Sequence, residues 1–176
     1  AGSVLLTLTT TGNGTCPADT DQVFIRISNA PIVDAGNPQT VCANNANVNL
    51  NGAVTGVVTT TGIWTSTGTG SFSPNATTLN AIYIPSAADI SNGTVNLILS
   101  ATNFGNCIVV RDTTLVTITA SPVVSAGANI SRCVNNLGTI TLAGSITGGA
   151  SQGIWTSTNG TGTFSPNNTT LNANYV

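Results

Sequence analysis

The sequence carries very little charge and lacks four residue types altogether. Its 176 residues include three Arg and five Asp but no Lys, Glu, His or Met, whereas roughly a quarter of the residues in an average soluble protein are charged. Without His or Glu there is no ordinary general base, and without Lys there is no Schiff base or phosphate clamp. The composition argues against an enzyme, and we expect no catalytic residue and no cofactor.

The sequence also lacks a basic patch and a metal-binding motif. The formal net charge is −2, and Arg26, Arg111 and Arg132 lie far apart in sequence, so no surface is expected to release counterions from a phosphate backbone. There is no His and no CxxC pair, and the cysteines are separated by 26 or 65 residues, which does not fit a zinc site. We expect neither a nucleic-acid partner nor a bound metal.

Long apolar runs are missing as well. No stretch approaches the ~18 apolar residues of a membrane-spanning helix, and the first residues lack the basic start and apolar block of a signal peptide. We therefore expect no membrane insertion in this segment, and targeting information that lies outside it or has been removed. A hydrophobic content of 40% with regular alternation predicts a folded chain rather than a disordered one.

A repeat runs through the whole chain. The six residues GIWTST at 62–67 return at 153–158, which is 91 residues later. Further matches, at the same distance or one residue more, are Cys16 with Cys107, Cys42 with Cys133, residues 31–36 with 122–127, residues 72–75 with 164–167, and residues 77–81 with 169–173. A tandem repeat of domain size is more typical of a built structure, such as a stalk or fibre, than of a catalyst.

Alternation with a period of two predicts β-strands. It is clear in Val95–Ala101 and in Thr114–Thr119, and no segment has convincing helical spacing. Shorter strands are predicted around Val48–Val54, Gly62–Ser66 and Ala81–Ile84, with turn residues between them. The pattern favours an all-β fold of tandem immunoglobulin-like sandwiches, one every 91 residues or so, with Trp64 and Trp155 in the cores rather than on sugar-stacking platforms.

Two prolines set the phase of the repeat. Pro31 and Pro122 each follow the end of a predicted strand, so each is expected to mark a joint between domains. Residues 1–30 are then the last two strands of a preceding repeat, residues 31–121 a complete repeat, and residues 122–176 the front part of the following one. On this phase the chain is expected to be a piece of a longer array.

The four cysteines occupy equivalent repeat positions, which favours an oxidising, extracytoplasmic setting. Cys42 and Cys107 are expected at opposite ends of one sandwich, whose strands of about ten residues are roughly 33 Å long, far beyond the ~7 Å reach of a disulfide. Cys42 could instead meet the equivalent of Cys107 one repeat downstream. A bridge inside one repeat, free thiols and links between chains remain alternatives, and Cys16 and Cys133 follow the same rule.

The repeated segments resemble a known class of surface protein. Residues 31–45 (PIVDAGNPQTVCANN), 62–83 (GIWTSTGTGSFSPNATTLNAIY) and 93–107 (GTVNLILSATNFGNC) resemble repeats of very large gliding-motility adhesins of Bacteroidota-type bacteria, within the broader set of PKD-like and immunoglobulin-like modules. The resemblance implies export by the type IX secretion system and a long cell-surface filament moved by a motor in the envelope. It implies no catalytic or binding residues.

Three functions fit these features. The first is a structural stalk or filament segment of a secreted adhesin, whose partners are neighbouring repeats, the secretion and motility machinery, and an external surface or glycan. The second is a carbohydrate- or ice-binding module, which would use the Thr-rich segments at residues 59–61, 65–69 and 156–163. The third is an accessory domain of a secreted enzyme.

Overall fold

The structure used here is a computed structural model, which describes residues 2–56, 59–105, 107–133, 135 and 138–176. Within those ranges the chain is nearly all β, with several sheets and one short helix. In chain order the elements are β1 (Gly2–Thr9), β2 (Thr20–Ile27), β3 (Ile32–Asp34), β4 (Gln39–Cys42), β5 (Val48–Asn49), β6 (Ala53–Thr55), β7 (Gly62–Ser66), β8 (Ser71–Ser73), β9 (Ile82–Ile84), α1 (Ala87–Asn92), β10 (Thr94–Ala101), β11 (Arg111–Thr119), β12 (Val123–Ser125), β13 (Ile140–Thr141), β14 (Ser145–Thr147), β15 (Phe164–Ser165) and β16 (Asn174–Tyr175).

Residues 31–119, the central unit, form two groups of strands that face each other. One sheet has the order β4-β11-β10-β7, in which β4 runs parallel to β11 and the other pairs are antiparallel. The second group consists of the pair β3-β6 and the sheet β5-β9-β8. Apolar side chains from both groups belong to one core cluster, an arrangement consistent with a β-sandwich.

The core of the central unit follows the alternation of the sequence. Its most deeply buried large side chain is Trp64, which is 1% exposed. The other buried members are Ala35, Val48, Leu50, Val54, Ala81, Tyr83, Val95, Leu97, Leu99, Ala101, Val116 and Ile118. Because successive side chains of a strand point to opposite faces, every second residue of β10 reaches this core while its neighbours lie at the surface.

The strands predicted from alternation are present. The predicted strands at 95–101 and 114–119 lie within β10 and β11, and the predicted strand at 62–66 has the bounds of β7. The stretch predicted around Val48–Val54 is divided into β5 and β6, although Leu50 and Gly52 between them still donate backbone hydrogen bonds to Ala81 and Leu79.

The expectation of no helix is wrong, because α1 lies between β9 and β10. It is only six residues long, too short to display a period of 3.6 residues. Its sequence signal is a capping box, in which the Ser86 side chain accepts from the Asp89 N–H and the Asp89 carboxylate accepts from the Ser86 N–H. Gly93 ends the helix in the left-handed conformation at φ 74°.

The first two strands form an antiparallel hairpin, β1–β2, which we call the N-terminal hairpin (residues 2–27). Its register places Ser3 opposite Arg26, and the register of β10–β11 places Thr94 opposite Thr117, which are the positions 91 residues later. All residues of both strands are exposed. The hairpin therefore has the strand pairing of β10–β11 but no opposing sheet.

Residues 122–176, the C-terminal segment, repeat part of the central unit bond by bond. The β12–β14 pair matches β3–β6, and β13-β16-β15 matches β5-β9-β8. Trp155 donates its indole N–H to the Leu171 carbonyl at 3.2 Å, as Trp64 does to Leu79 at 3.1 Å. The Phe164 and Tyr175 rings lie 5.1 Å apart at 52°, and the Phe72 and Tyr83 rings lie 5.1 Å apart at 53°. The two regions therefore share their local packing.

Candidate functional site

The two central cysteines lie at different ends of β11. Cys42 is the last residue of β4 and is the partner of Thr119, the last residue of β11. Cys107 lies in the loop before β11, with its thiol 4.0 Å from the carbonyl oxygen of Asn29. Arg111 to Thr119 spans eight residue steps, about 27 Å at ~3.4 Å per residue. Cys42 is thus beside the downstream joint and Cys107 is beside the upstream joint.

All four cysteines have free thiols. Cys42 and Cys107 are partly buried, whereas Cys16 and Cys133 are exposed. Cys16 lies in the loop between β1 and β2, and Cys133 follows β12 in a stretch outside the strands. The structure therefore brings none of the predicted disulfide candidates together within this chain.

The two tryptophans occupy equivalent positions but differ in environment. Trp64 lies in β7 and is covered by β10, whose Leu99 is its partner across the pair. Trp155 is only partly buried, and residues 151–157 are not in a strand. The side of Trp155 that corresponds to the β10-covered side of Trp64 opens into an apolar groove lined by Val124, Ala126, Ile146, Gly153 and Leu171.

A buried carboxylate lies between α1, β9 and the loop after β7. Asp89 is 1% exposed and accepts hydrogen bonds from the Thr69 N–H at 3.0 Å, the Tyr83 hydroxyl at 2.8 Å and the Ser86 N–H at 2.9 Å. The carboxylate also lies against Gly68, where a side chain would collide with it. Sequence reasoning missed this cluster, although the Ser86-x-x-Asp89 pattern was its signal.

Opposing effects set the protonation of this cluster. Burial of Asp89 by itself raises its pKa, but the Ser86 N–H, the Tyr83 hydroxyl and the Thr69 N–H stabilise the charged form, and the net result is a pKa below the ordinary 3.8. Burial raises the pKa of Tyr83 above its ordinary 10.0, and the neighbouring Asp89 raises it further. The pair is therefore a carboxylate held by a protonated phenol, which makes it a structural clamp rather than a general acid or base.

The Thr-rich segments do not form one uniform surface. Thr59 is buried, and its hydroxyl lies 3.0 Å from that of Thr61, which lies 2.7 Å from the hydroxyl of Thr102. The Thr67 hydroxyl accepts from the Asn96 N–H at 3.0 Å. These threonines therefore bond to their own chain and tie the strands beside β7 together.

Comparisons with known proteins add no family to these observations. No protein-family model matches the chain. No curated protein matches it either. Over the ranges that the structure describes, no helix has the length and apolar character needed to cross a membrane. In the same ranges, no three side chains of the metal-binding types come together.

Proposed function

We propose that the chain is a structural segment of a secreted cell-surface adhesin, built from tandem immunoglobulin-like units of about 91 residues and used for surface attachment and gliding. The observation that carries the proposal is the recurrence of one packing plan. The same Trp–Leu hydrogen bond and the same Phe–Tyr contact occur in the central unit and in the C-terminal segment. A unit repeated with its core intact suits a spacer, since repeated units stack into long structures.

The strand order supports the immunoglobulin-like assignment. The chain enters the central unit through β3 on one sheet and continues into β4 on the other, where β4 pairs in parallel with the last strand, β11. The remaining strands give β6/β5-β9-β8 on one side and β11-β10-β7 on the other, which corresponds to the two sheets of that sandwich. The partners proposed for the array are neighbouring units, the export and motility machinery, and an external surface or glycan.

Surface display is the direct test of the adhesin proposal. Antibodies raised against the 176-residue chain are expected to label intact cells of the organism that carries it, along extended structures visible by electron microscopy. Deleting the gene is expected to reduce attachment and gliding. Labelling that requires permeabilised cells would contradict the proposal, and an antibody against a protein inside the envelope provides the control.

We also propose that the cysteines connect neighbouring units of the array. Cys42 lies at the Thr119 end of the central unit and Cys107 lies beside Asn29 at the other end. The ~27 Å length of β11 between those ends exceeds the ~7 Å limit for a disulfide. In a chain extended downstream by one unit, peptide mapping is expected to link Cys42 to the new equivalent of Cys107. A peptide that links Cys42 to Cys107 would contradict this pairing.

A further inference from the structure

Two complementary apolar surfaces lie open on this chain. On the N-terminal hairpin, alternate side chains form an apolar face whose members are between 41% and 79% exposed: Val4, Leu6, Leu8, Val23, Ile25 and Ile27. On the C-terminal segment, the open surface is the groove beside Trp155. Large exposed apolar surfaces of this kind are typical of interaction sites.

The central unit shows what covers such a groove. There, β10–β11 has the register of the N-terminal hairpin, and its core face matches the hairpin face position by position. Leu97 and Leu99 correspond to Leu6 and Leu8, and both are fully buried against Trp64 and its neighbours. The hairpin thus carries the side chains that the groove requires.

The C-terminal segment also lacks two strands that the central unit has. Residues 39–42 and 62–66 form β4 and β7, on either side of β10–β11. The equivalent residues 130–133 and 153–157 are not in strands. A strand edge forms only when a neighbour satisfies its backbone groups, so both stretches have the sequence of an edge but no partner to pair with.

We propose that the N-terminal hairpin of a second copy of this chain occupies the groove and completes the sheet in the order 130–133, β2, β1, 153–157. Transferring the central pairings places Ile25 opposite Ile130 and Leu8 opposite Trp155. It also provides one specific polar contact. The Asp112 carboxylate accepts from the Ala35 N–H at 2.8 Å, and Asp21 of the second copy is in position to accept from the Ala126 N–H in the same way.

The pairing joins different copies rather than the two ends of one copy. The hairpin is attached through residues 28–31 at the Asn29 end of the central unit, and the C-terminal segment is attached through residues 120–122 at the Thr119 end. The contact is therefore head to tail, so each copy donates one hairpin and accepts another. Such heterologous contacts generate open chains unless the rotation closes a ring. This inference rests on the register and does not depend on the adhesin proposal.

The first measurement is the molar mass of the 176-residue chain by light scattering, in reductant so that thiols cannot crosslink copies. We expect the mass to rise with protein concentration. Acrylamide quenching of fluorescence is expected to fall in parallel, because hairpin docking covers Trp155 while Trp64 is already buried. A chain that stays monomeric over the whole accessible concentration range would overturn the proposal.

Adjacent residues provide matched variants on both surfaces. Leu6→Asp places a charge on the docking face of the hairpin, whereas Leu5→Asp lies on its other face, because Leu5 corresponds to the exposed Asn96. Val124→Asp alters the groove, since its equivalent Val33 packs against the core, whereas Val123→Asp corresponds to the exposed Ile32. We expect L6D and V124D to be monomeric, and L5D and V123D to associate like the parent chain.

Mixing the two monomeric variants tests the direction of the contact. L6D retains an intact groove and V124D retains an intact hairpin, so an equimolar mixture is expected to form a 1:1 dimer and nothing larger. A mixture that remains monomeric would overturn the proposal. Association that is lost in L6D but kept in V124D would also overturn it, because hairpins would then be pairing with each other.

Discussion

At the residue scale, Thr114 is a polar group without a partner in the core of the central unit. It is 2% exposed, and its hydroxyl is a buried group for which no hydrogen bond is found among the described residues. The equivalent position in the N-terminal hairpin is Val23, 91 residues earlier. The repeat itself therefore contains an apolar replacement of nearly the same shape.

We predict that Thr114→Val raises the free energy of unfolding by about 1 kcal/mol, because a buried hydroxyl without a hydrogen bond costs roughly 1–3 kcal/mol. Urea denaturation followed by circular dichroism provides the measurement. The adjacent Thr113→Val is the control, since Thr113 is exposed and surface substitutions usually change stability by less than about 0.5 kcal/mol. Equal effects of the two substitutions would contradict the prediction.

Gly52 leaves the space that the Trp64 indole occupies. A Cβ added at Gly52 would lie 2.6 Å from Trp64 Cζ2 and 2.8 Å from Leu99 Cδ2. The equivalent Gly144 has the same relation to Trp155, at 2.7 Å. Both tryptophans are thus seated over a glycine, a feature that sequence repetition alone does not explain but close packing does.

Gly52→Ala is predicted to lower the free energy of unfolding by about 1–3 kcal/mol, the usual cost of overpacking a core. Gly138→Ala is the matched control, because a Cβ at Gly138 has nothing within 4 Å. Thermal unfolding of both variants beside the parent chain provides the measurement. If G52A unfolds at the parent temperature, the close contact with Trp64 has no energetic consequence.

At the element scale, α1 depends on the buried carboxylate of Asp89. That group caps the helix, receives the Tyr83 hydroxyl and holds the Thr69 loop. Its pKa is lowered in the folded chain, so its contribution to stability is complete above the ordinary value of 3.8. The contribution is lost as the pH falls through the lower folded value.

We predict that Asp89→Asn destabilises the chain at neutral pH by about 1–3 kcal/mol, because the amide group cannot accept all three hydrogen bonds. The difference from the parent chain is expected to shrink between about pH 5 and about pH 2 as the parent carboxylate becomes protonated. Asp19→Asn, in the exposed loop between β1 and β2, is the control. Urea titrations across this range decide the matter, and a difference independent of pH would count against the clamp.

Elements differ in how far the sequence could predict them. β10 and β11 have alternating apolar residues over eight and nine positions, enough to identify both the strands and their buried face. β3 and β4 are three and four residues long, and their division between two sheets depends on tertiary pairing. The open groove beside Trp155 could not be predicted either, because GIWTST has the same letters in both places and only the neighbouring strand differs.

At the scale of the whole molecule, three regions carry parts of one plan. The N-terminal hairpin has the pairing of β10–β11, and the C-terminal segment has the pairings of β3–β6 and β5-β9-β8. Only the central unit combines both in one core. Its neighbours keep their local hydrogen bonds while their apolar faces remain exposed, so local sequence determines pairing and the opposing sheet determines burial.

The scarcity of charge leads to a prediction for the whole chain. With three Arg and five Asp in 176 residues, few interactions are open to screening, so stability and self-association are expected to change little between about 0.05 and about 0.5 M sodium chloride. Light scattering and urea denaturation at both concentrations test this. A steep loss of either at high salt would indicate that the few charges hold the molecule together.

The parallel pairing of β4 with β11 has a mechanical consequence. The chain enters the central unit just before β4 and leaves it at Thr119, and the four paired positions run from Gln39 with Val116 to Cys42 with Thr119. Tension applied through the two joints pulls these strands in opposite directions along their length. The load is then a shear shared by all the hydrogen bonds of the ladder at once, so the unit resists extension until the whole ladder yields.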